Sequence, residues 1–136
     1  MIEAYKNYWA NYANFKDRTS VGGYWWVVLM NLIISFVLGF IIGALGIETV
    51  ELAEDASNLS EYFTSPGVLI PLLWSLVNLI PGLAIFTRRM HDTNRSGLLY
   101  LLLFIPLVNI VAAIVLIVFL CSSSVNEGNK YGDTQV

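Results

Sequence analysis

Chemically versatile side chains are scarce in this chain. One cysteine, Cys121, excludes an intramolecular disulfide and any all-cysteine metal cage. One histidine, His91, removes every motif that needs two. Charge is thin as well: 12% of the 136 residues, about half of the roughly 25% usual in a soluble domain. The start, residues 1–22, lacks the basic stretch and short apolar core of a cleavable signal peptide. No second composition class marks a second domain. The longest apolar runs contain no Asp, Glu, Lys or Arg, which argues against a solute carrier built on intramembrane charge.

Hydrophobic residues are what the chain does have, at 57%. Three runs reach the roughly 20 residues that a helix needs to cross about 30 Å of hydrocarbon. They are Tyr24–Leu45, Gly67–Phe86 and Leu98–Leu120. Each is expected to be helical, because lipid offers the backbone no hydrogen-bond partner and three spans cannot close a barrel. The third is the least regular. Pro106 lies near its middle, so it is read either as one kinked span with the tail outside, the preferred reading on length, or as a re-entrant pair. Pro66, Pro71, Pro81 and Asn78 also suggest an irregular second span, kinked for packing.

Charge sorts by segment. Residues 1–22 carry +1, loop 46–65 carries −5, loop 87–97 carries +2 and the tail 121–136 carries −1. Counting Lys and Arg in the short loops places the N-terminus and loop 87–97 in the cytoplasm and the acidic loop outside. Ahead of the first span, Ile2, Tyr5, Tyr8, Trp9, Tyr12 and Phe15 recur at helical steps opposite Glu3, Lys6, Asn7, Asn11 and Asn14. That pattern predicts an amphipathic helix lying on the membrane surface until Gly22-Gly23 breaks it. A role in filling a partner's groove is the competing use.

The densest cluster of polar chemistry is Arg88-Arg89-Met90-His91-Asp92, closed by Asn94-Arg95-Ser96-Gly97. On a helix continued to about residue 94, Arg88, His91 and Arg95 share a face, with Asp92 one turn from Arg88, Arg89 and Arg95. One carboxylate among three guanidiniums makes either an internally paired collar that fixes topology, or a site for phosphate-bearing lipid headgroups that Arg18 could join. His91 beside Asp92 invites an acid/base, pH-sensing or zinc reading, but further ligands and a second histidine are missing. Ser122-Ser123-Ser124 has no nucleophile-elbow context and reads as the polar exit of the third run. Neither metal nor cofactor is expected, and no nucleic acid partner. In the first span Ser35, Gly39 and Gly43 repeat every four residues, a small-residue face for helix packing within the chain or between two copies.

With these motifs in view, the chain resembles the bacterial family of small inner-membrane proteins known as domain of unknown function 805. The front block Asn14-Phe15-Lys16-Asp17-Arg18-Thr19-Ser20, then Tyr24-Trp25, is similar to the family's Phe-x-Gly-Arg-x-Ser-Arg block and its Tyr-Trp. Arg88-Arg89-Met90-His91-Asp92 and Arg95-Ser96-Gly97 resemble its central signature, Ile105-Pro106 its Ile-Pro pair, and Asn129-Lys130-Tyr131-Gly132 its closing motif. The chain departs from the pattern at Asp17 and Asn94 (usually Gly), Val21 (usually basic), Leu98 and Leu99 (usually Trp), and Asn109 (usually Gly). The resemblance implies a bacterial inner-membrane location and lends no biochemical activity.

The expected architecture is therefore an all-α integral membrane protein, three transmembrane helices preceded by an amphipathic interfacial helix. The expected role is a non-enzymatic membrane adaptor or accessory protein. Its candidate partners are the bilayer, anionic phospholipid, another membrane protein or further copies of itself. Envelope stress, or self-protection against a membrane-active toxin or phage, would suit such a protein, though no residue demonstrates it. The competing reading is a small oligomeric channel or lipid-handling protein, with Asn31, Ser35, Asn78 and Asn109 as the polar stripe.

Overall fold

The computed structural model describes residues 1–47 and 58–136. Of the expected acidic loop, Glu48, Glu51, Glu54 and Asp55 lie outside the described residues, and Glu61 sits on a short helix. The element order is α1 (Ile2–Ala10), α2 (Val21–Ala44), α3 (Leu59–Thr64), α4 (Pro66–Asp92), a 3-10 helix (Gly97–Phe104) and α5 (Val108–Cys121). The chain divides into two compact units, Met1–Val28 with Ile80–Val136, and Leu29–Leu79.

Among the described residues two helices, α2 and α4, are long and apolar enough to cross a membrane. Their apolar side chains are largely uncovered: Phe36, Phe40, Leu76 and Leu79 are each more than half exposed. A continuous surface of that kind calls for an apolar surrounding rather than water.

Helix boundaries differ from the sequence expectation where short polar side chains compete with the backbone. The front helix ends at Ala10, so Tyr12 and Phe15 are not on it. Asn11 donates to the Asn7 carbonyl at 3.0 Å, and Asn14 accepts from the Lys16 backbone N–H at 3.1 Å, folding residues 11–17 into a turn. Gly22-Gly23 does not break a helix but lies inside α2. The Ser20 hydroxyl accepts from the Gly23 N–H at 3.1 Å, a cap that starts the helix before the glycines. At the other end Gly46 has φ +62, and the Ile47 N–H reaches back to the Ile42 carbonyl at 3.1 Å. This closes α2 with the left-handed residue that favours glycine.

Helix α4 runs without interruption to Asp92, about one and a half turns beyond the apolar run, despite Pro71 and Pro81. Ser75 and Asn78 donate to the carbonyls of Pro71 and Trp74, four residues back, at 2.9 Å each. The third run is not one continuous helix. Its first half is the 3-10 helix, of 8 residues, and its second half is α5, of 14. Between them Pro106 lacks an N–H and Leu107 turns to φ +68, which reverses the chain. At about 1.5 Å per residue α5 is roughly 21 Å long, short of a straight crossing of about 30 Å. The two segments pack against each other.

Within the unit formed by Met1–Val28 and Ile80–Val136, the last turns of α4 are the centre. On one side Phe86 and Met90 pack with Leu116 and Leu120 of α5, with Leu99, Tyr100 and Leu103 against them. On the other side Ile85 packs with Tyr8 of α1 and Val27 of α2. Tyr8 is 2% exposed, so part of the aromatic face of α1 meets protein.

Candidate functional site

The C-terminal turn of α4 carries Arg88, Arg89, His91 and Asp92 into a buried polar cluster with Arg18. Arg18, Arg88, Arg89 and Asp92 are each at most 2% exposed. Burying such groups is unfavourable unless each polar atom finds a partner. Here they do: no buried side-chain nitrogen or oxygen among the described residues lacks a hydrogen bond.

Asp92 is the hub. Its Oδ1 accepts from Arg18 Nε at 3.1 Å, from Arg18 Nη2 at 2.9 Å and from the Gln135 amide at 2.8 Å. Its Oδ2 accepts from Arg89 Nη1 and from the Ser124 hydroxyl. A carboxylate offers about four lone-pair directions, so this one is saturated. The pairing with Arg18 uses two nitrogens of one guanidinium, a geometry that lysine cannot reproduce.

Each arginine also fastens a different segment. Arg88 donates to the Asn11 and Asn14 carbonyls at 2.8 and 2.9 Å, and through Nε to the Thr19 hydroxyl at 3.0 Å, holding the turn after α1. Arg89 donates to the Leu120 carbonyl at 3.0 Å and to the Ser122 carbonyl, at the C-terminal end of α5. The last carbonyls of a helix are unpaired within it and carry partial negative charge, so a cation there is favourable. Arg18 donates to the Gly132 carbonyl at 3.0 Å and to the Asn126 side chain at 2.6 Å. Its backbone N–H donates to the Thr134 carbonyl at 3.0 Å, and its carbonyl accepts from the Val136 N–H at 2.8 Å.

His91 faces the same assembly. Its Nδ1 lies 3.3 Å from the carbonyls of both Lys16 and Asp17, which fits a protonated Nδ1. Its ring stacks on Tyr131 at 3.7 Å with planes 6° apart. The Asn129 amide donates to the His91 carbonyl at 2.9 Å, and Gly132 sits at φ +88, where a side chain would be strained. Thus the four motif blocks at 14–20, 88–92, 95–97 and 129–132 converge on one unit.

Two sequence expectations are corrected. Arg95 does not join Arg88 and Arg89 around Asp92. The helix stops at Asp92 and Asn94 turns to φ +59, so the Arg95 guanidinium lies 3.9 Å above the Phe119 ring and donates to the Thr93 carbonyl at 3.4 Å. Its place at Asp92 is taken by Arg18, from 74 residues earlier. The cluster also has fewer free N–H donors than the motif suggests, because protein carbonyls engage Arg88 and Arg89. Residues that the sequence reading missed are Thr19, Ser124, Asn126 and Gln135. Thr19 stands in the front block and Ser124 in the serine run read as a polar exit, but no spacing ties either to Asp92; for Asn126 and Gln135 the closing Asn129–Gly132 motif is the nearest sequence signal.

The small residues lie elsewhere. Ser35, Gly39 and Gly43 are exposed on α2, in the Leu29–Leu79 unit. A Cβ added at Gly39 or Gly43 would meet no atom within 4 Å, so among the described residues no other helix is seated there. Gly97, by contrast, is pressed onto α4: an added Cβ would lie 2.5 Å from Thr87 Cγ2 and 2.7 Å from its hydroxyl.

Comparison with known proteins agrees with the motifs. Residues 12–133 match the family described as "Protein of unknown function (DUF805)". Inner membrane protein YhaI of Escherichia coli (strain K12) is 32% identical over 123 residues, covering 90% of this chain and 86% of the relative. Inner membrane protein YhaH of the same strain is 32% identical over 122 residues, covering 90% and 87%. No solved structure matches the chain. The chain belongs to the DUF805 family.

Proposed function

We propose that this DUF805 member is a non-enzymatic accessory protein of the bacterial inner membrane. In this reading it is a multi-pass adaptor with its N-terminus in the cytoplasm. The front segment, the arginine motif and the tail form one cytoplasmic cap that receives a protein partner. The excess of Lys and Arg in segments 1–22 and 87–97 supports that orientation. The aromatic rings of α1 that remain partly exposed suit the membrane–water interface.

The observation that carries the reading is the engagement of Arg18, Arg88, Arg89 and Asp92 by one another and by the ends of neighbouring segments. Side chains held this way, without access to solvent, serve as a lock rather than as reagents or as headgroup ligands. What the cap presents outward is a mixed set of charges, Lys16, Glu127, Lys130 and Asp133, all exposed. Contact with anionic headgroups in this reading falls to Lys16 and Lys130. The competing channel reading is less well supported, because Asn78 of its polar stripe donates to its own helix at Trp74.

In cells carrying a photo-crosslinking amino acid at Glu127 or at Lys130, both positions should yield the same discrete protein adduct. Gln135→Ala, which removes one donor to Asp92 and loosens the tail, should weaken that adduct at unchanged protein level. No adduct, or different diffuse products from the two positions, overturns the reading.

A further inference from the structure

Between the 3-10 helix and the last turns of α4 lies a cleft of about 540 Å³, within the roughly 300–1,000 Å³ of small-molecule sites. Leu83 and Phe86 of α4 line one wall, and Leu101 and Phe104 of the 3-10 helix line the other. Thr87, His91 and Ser96 supply polar lining near the turn that joins the two helices, and Tyr100 adds one phenol to an otherwise apolar wall. The cleft therefore has an apolar length and one polar end.

Its length is informative. The 8 residues Gly97–Phe104 rise about 2.0 Å each, giving roughly 16 Å. From Leu83 to His91, α4 advances about 12 Å at 1.5 Å per residue. Both are close to half of a hydrocarbon core of about 30 Å, the depth of one leaflet. The wall of the cleft continues into surface: Leu98, Leu101 and Phe104 are 73%, 57% and 72% exposed. In an inner-membrane protein these side chains meet hydrocarbon, so the cleft opens onto acyl chains. Water is a poor occupant of an apolar-lined space, and an empty one forfeits the contacts of its walls.

We propose that the cleft holds one acyl chain of a membrane phospholipid, with the lipid's polar end at Thr87, His91 and Ser96. A cation for a phosphate is close by in sequence. Lys16 follows Phe15, which also lines the cleft, and the Lys16 carbonyl lies 3.3 Å from His91 Nδ1. A lysine near the headgroup plane attracts anionic lipid. The close contact of Gly97 with Thr87 brings the two walls together at the polar end, so a chain enters from the apolar end or from the side. This inference concerns the apolar face beside α4 and does not depend on the partner of the cap.

The test is native mass spectrometry of the full chain, extracted gently from its own membranes and then exchanged through fresh detergent. The expected spectrum holds one phospholipid per chain. Leu83→Trp and Leu101→Trp, which fill the cleft, should lower that occupancy at least tenfold, and Leu76→Trp, on an exposed stretch of α4, should leave it unchanged. Absence of a retained phospholipid overturns the proposal, as does retention at the wild-type level in both cleft variants. A bound mass matching free fatty acid or detergent also overturns it. Should a cleft variant fail to elute as a single species, the wild type decides alone, using a phospholipid with a mid-chain diazirine. Adducts at Leu83, Phe86 or Leu101 support the proposal, and adducts confined to exposed faces elsewhere contradict it.

Discussion

Asp92 holds two buried guanidiniums, Arg18 and Arg89, and two tail side chains, Ser124 and Gln135. Removing its charge leaves both cations buried without their counter-ion, a change that typically costs about 3–5 kcal/mol. Asp92→Asn should lower the unfolding midpoint of the detergent-solubilised protein by roughly 10 °C or more, and should make the tail the first segment cut in limited proteolysis. A midpoint within a degree or two of wild type would mean that the carboxylate is not the hub. At this scale the sequence was informative about residue type. Arg18, Arg88, Arg89, His91 and Asp92 stand out because charge is so rare around them, and the structure brings them together. Arg95 was misplaced because its position depends on one backbone angle, the left turn at Asn94. Asparagine tolerates that turn better than most side chains, but its presence does not dictate it.

The elements are locked at their ends. Arg89 engages the last carbonyls of α5, Arg88 the turn after α1, and Gly97 lets the 3-10 helix start directly against Thr87 of α4. Gly97→Ala places a methyl where Thr87 already stands and should destabilise the protein by about 1–3 kcal/mol. Thr87→Ala in the same chain removes the two nearer atoms but leaves its Cβ, 2.8 Å away, so rescue should be partial. Thermal unfolding of the two variants measures both effects. Full stability in Gly97→Ala alone would mean that the two helices do not approach this closely. The helical class and the apolar runs were legible from length and composition; the helix ends, and the 3-10 form of Gly97–Phe104, were not. Ser20 starts α2 before a glycine pair that looks like a break, and Asn11 with Asn14 stops α1 inside an unbroken aromatic pattern. In both places one side-chain hydrogen bond outweighs periodicity.

Over the whole chain, the clearest result is that the front segment and the tail meet. Arg18 exchanges backbone hydrogen bonds with Thr134 and Val136, and its side chain reaches Asn126 and Gly132. In the topology proposed above, residues 97–121 return to the side from which they start, through the reversal at Pro106-Leu107. Hydropathy could not decide this, since 23 apolar residues suit one kinked crossing as well as a short hairpin. The deciding contacts come from tail residues whose types are common in any polar terminus. The direct test is labelling of a single cysteine at Glu127, in a chain with Cys121→Ser, by a membrane-impermeant maleimide. Labelling is expected in inverted membrane vesicles and not in intact spheroplasts, the same sidedness as a cysteine placed at Lys16. Labelling from the spheroplast exterior at Glu127 but not at Lys16 would put the two ends on opposite sides of the membrane, and the Arg18–Asp92 lock with its tail could not exist.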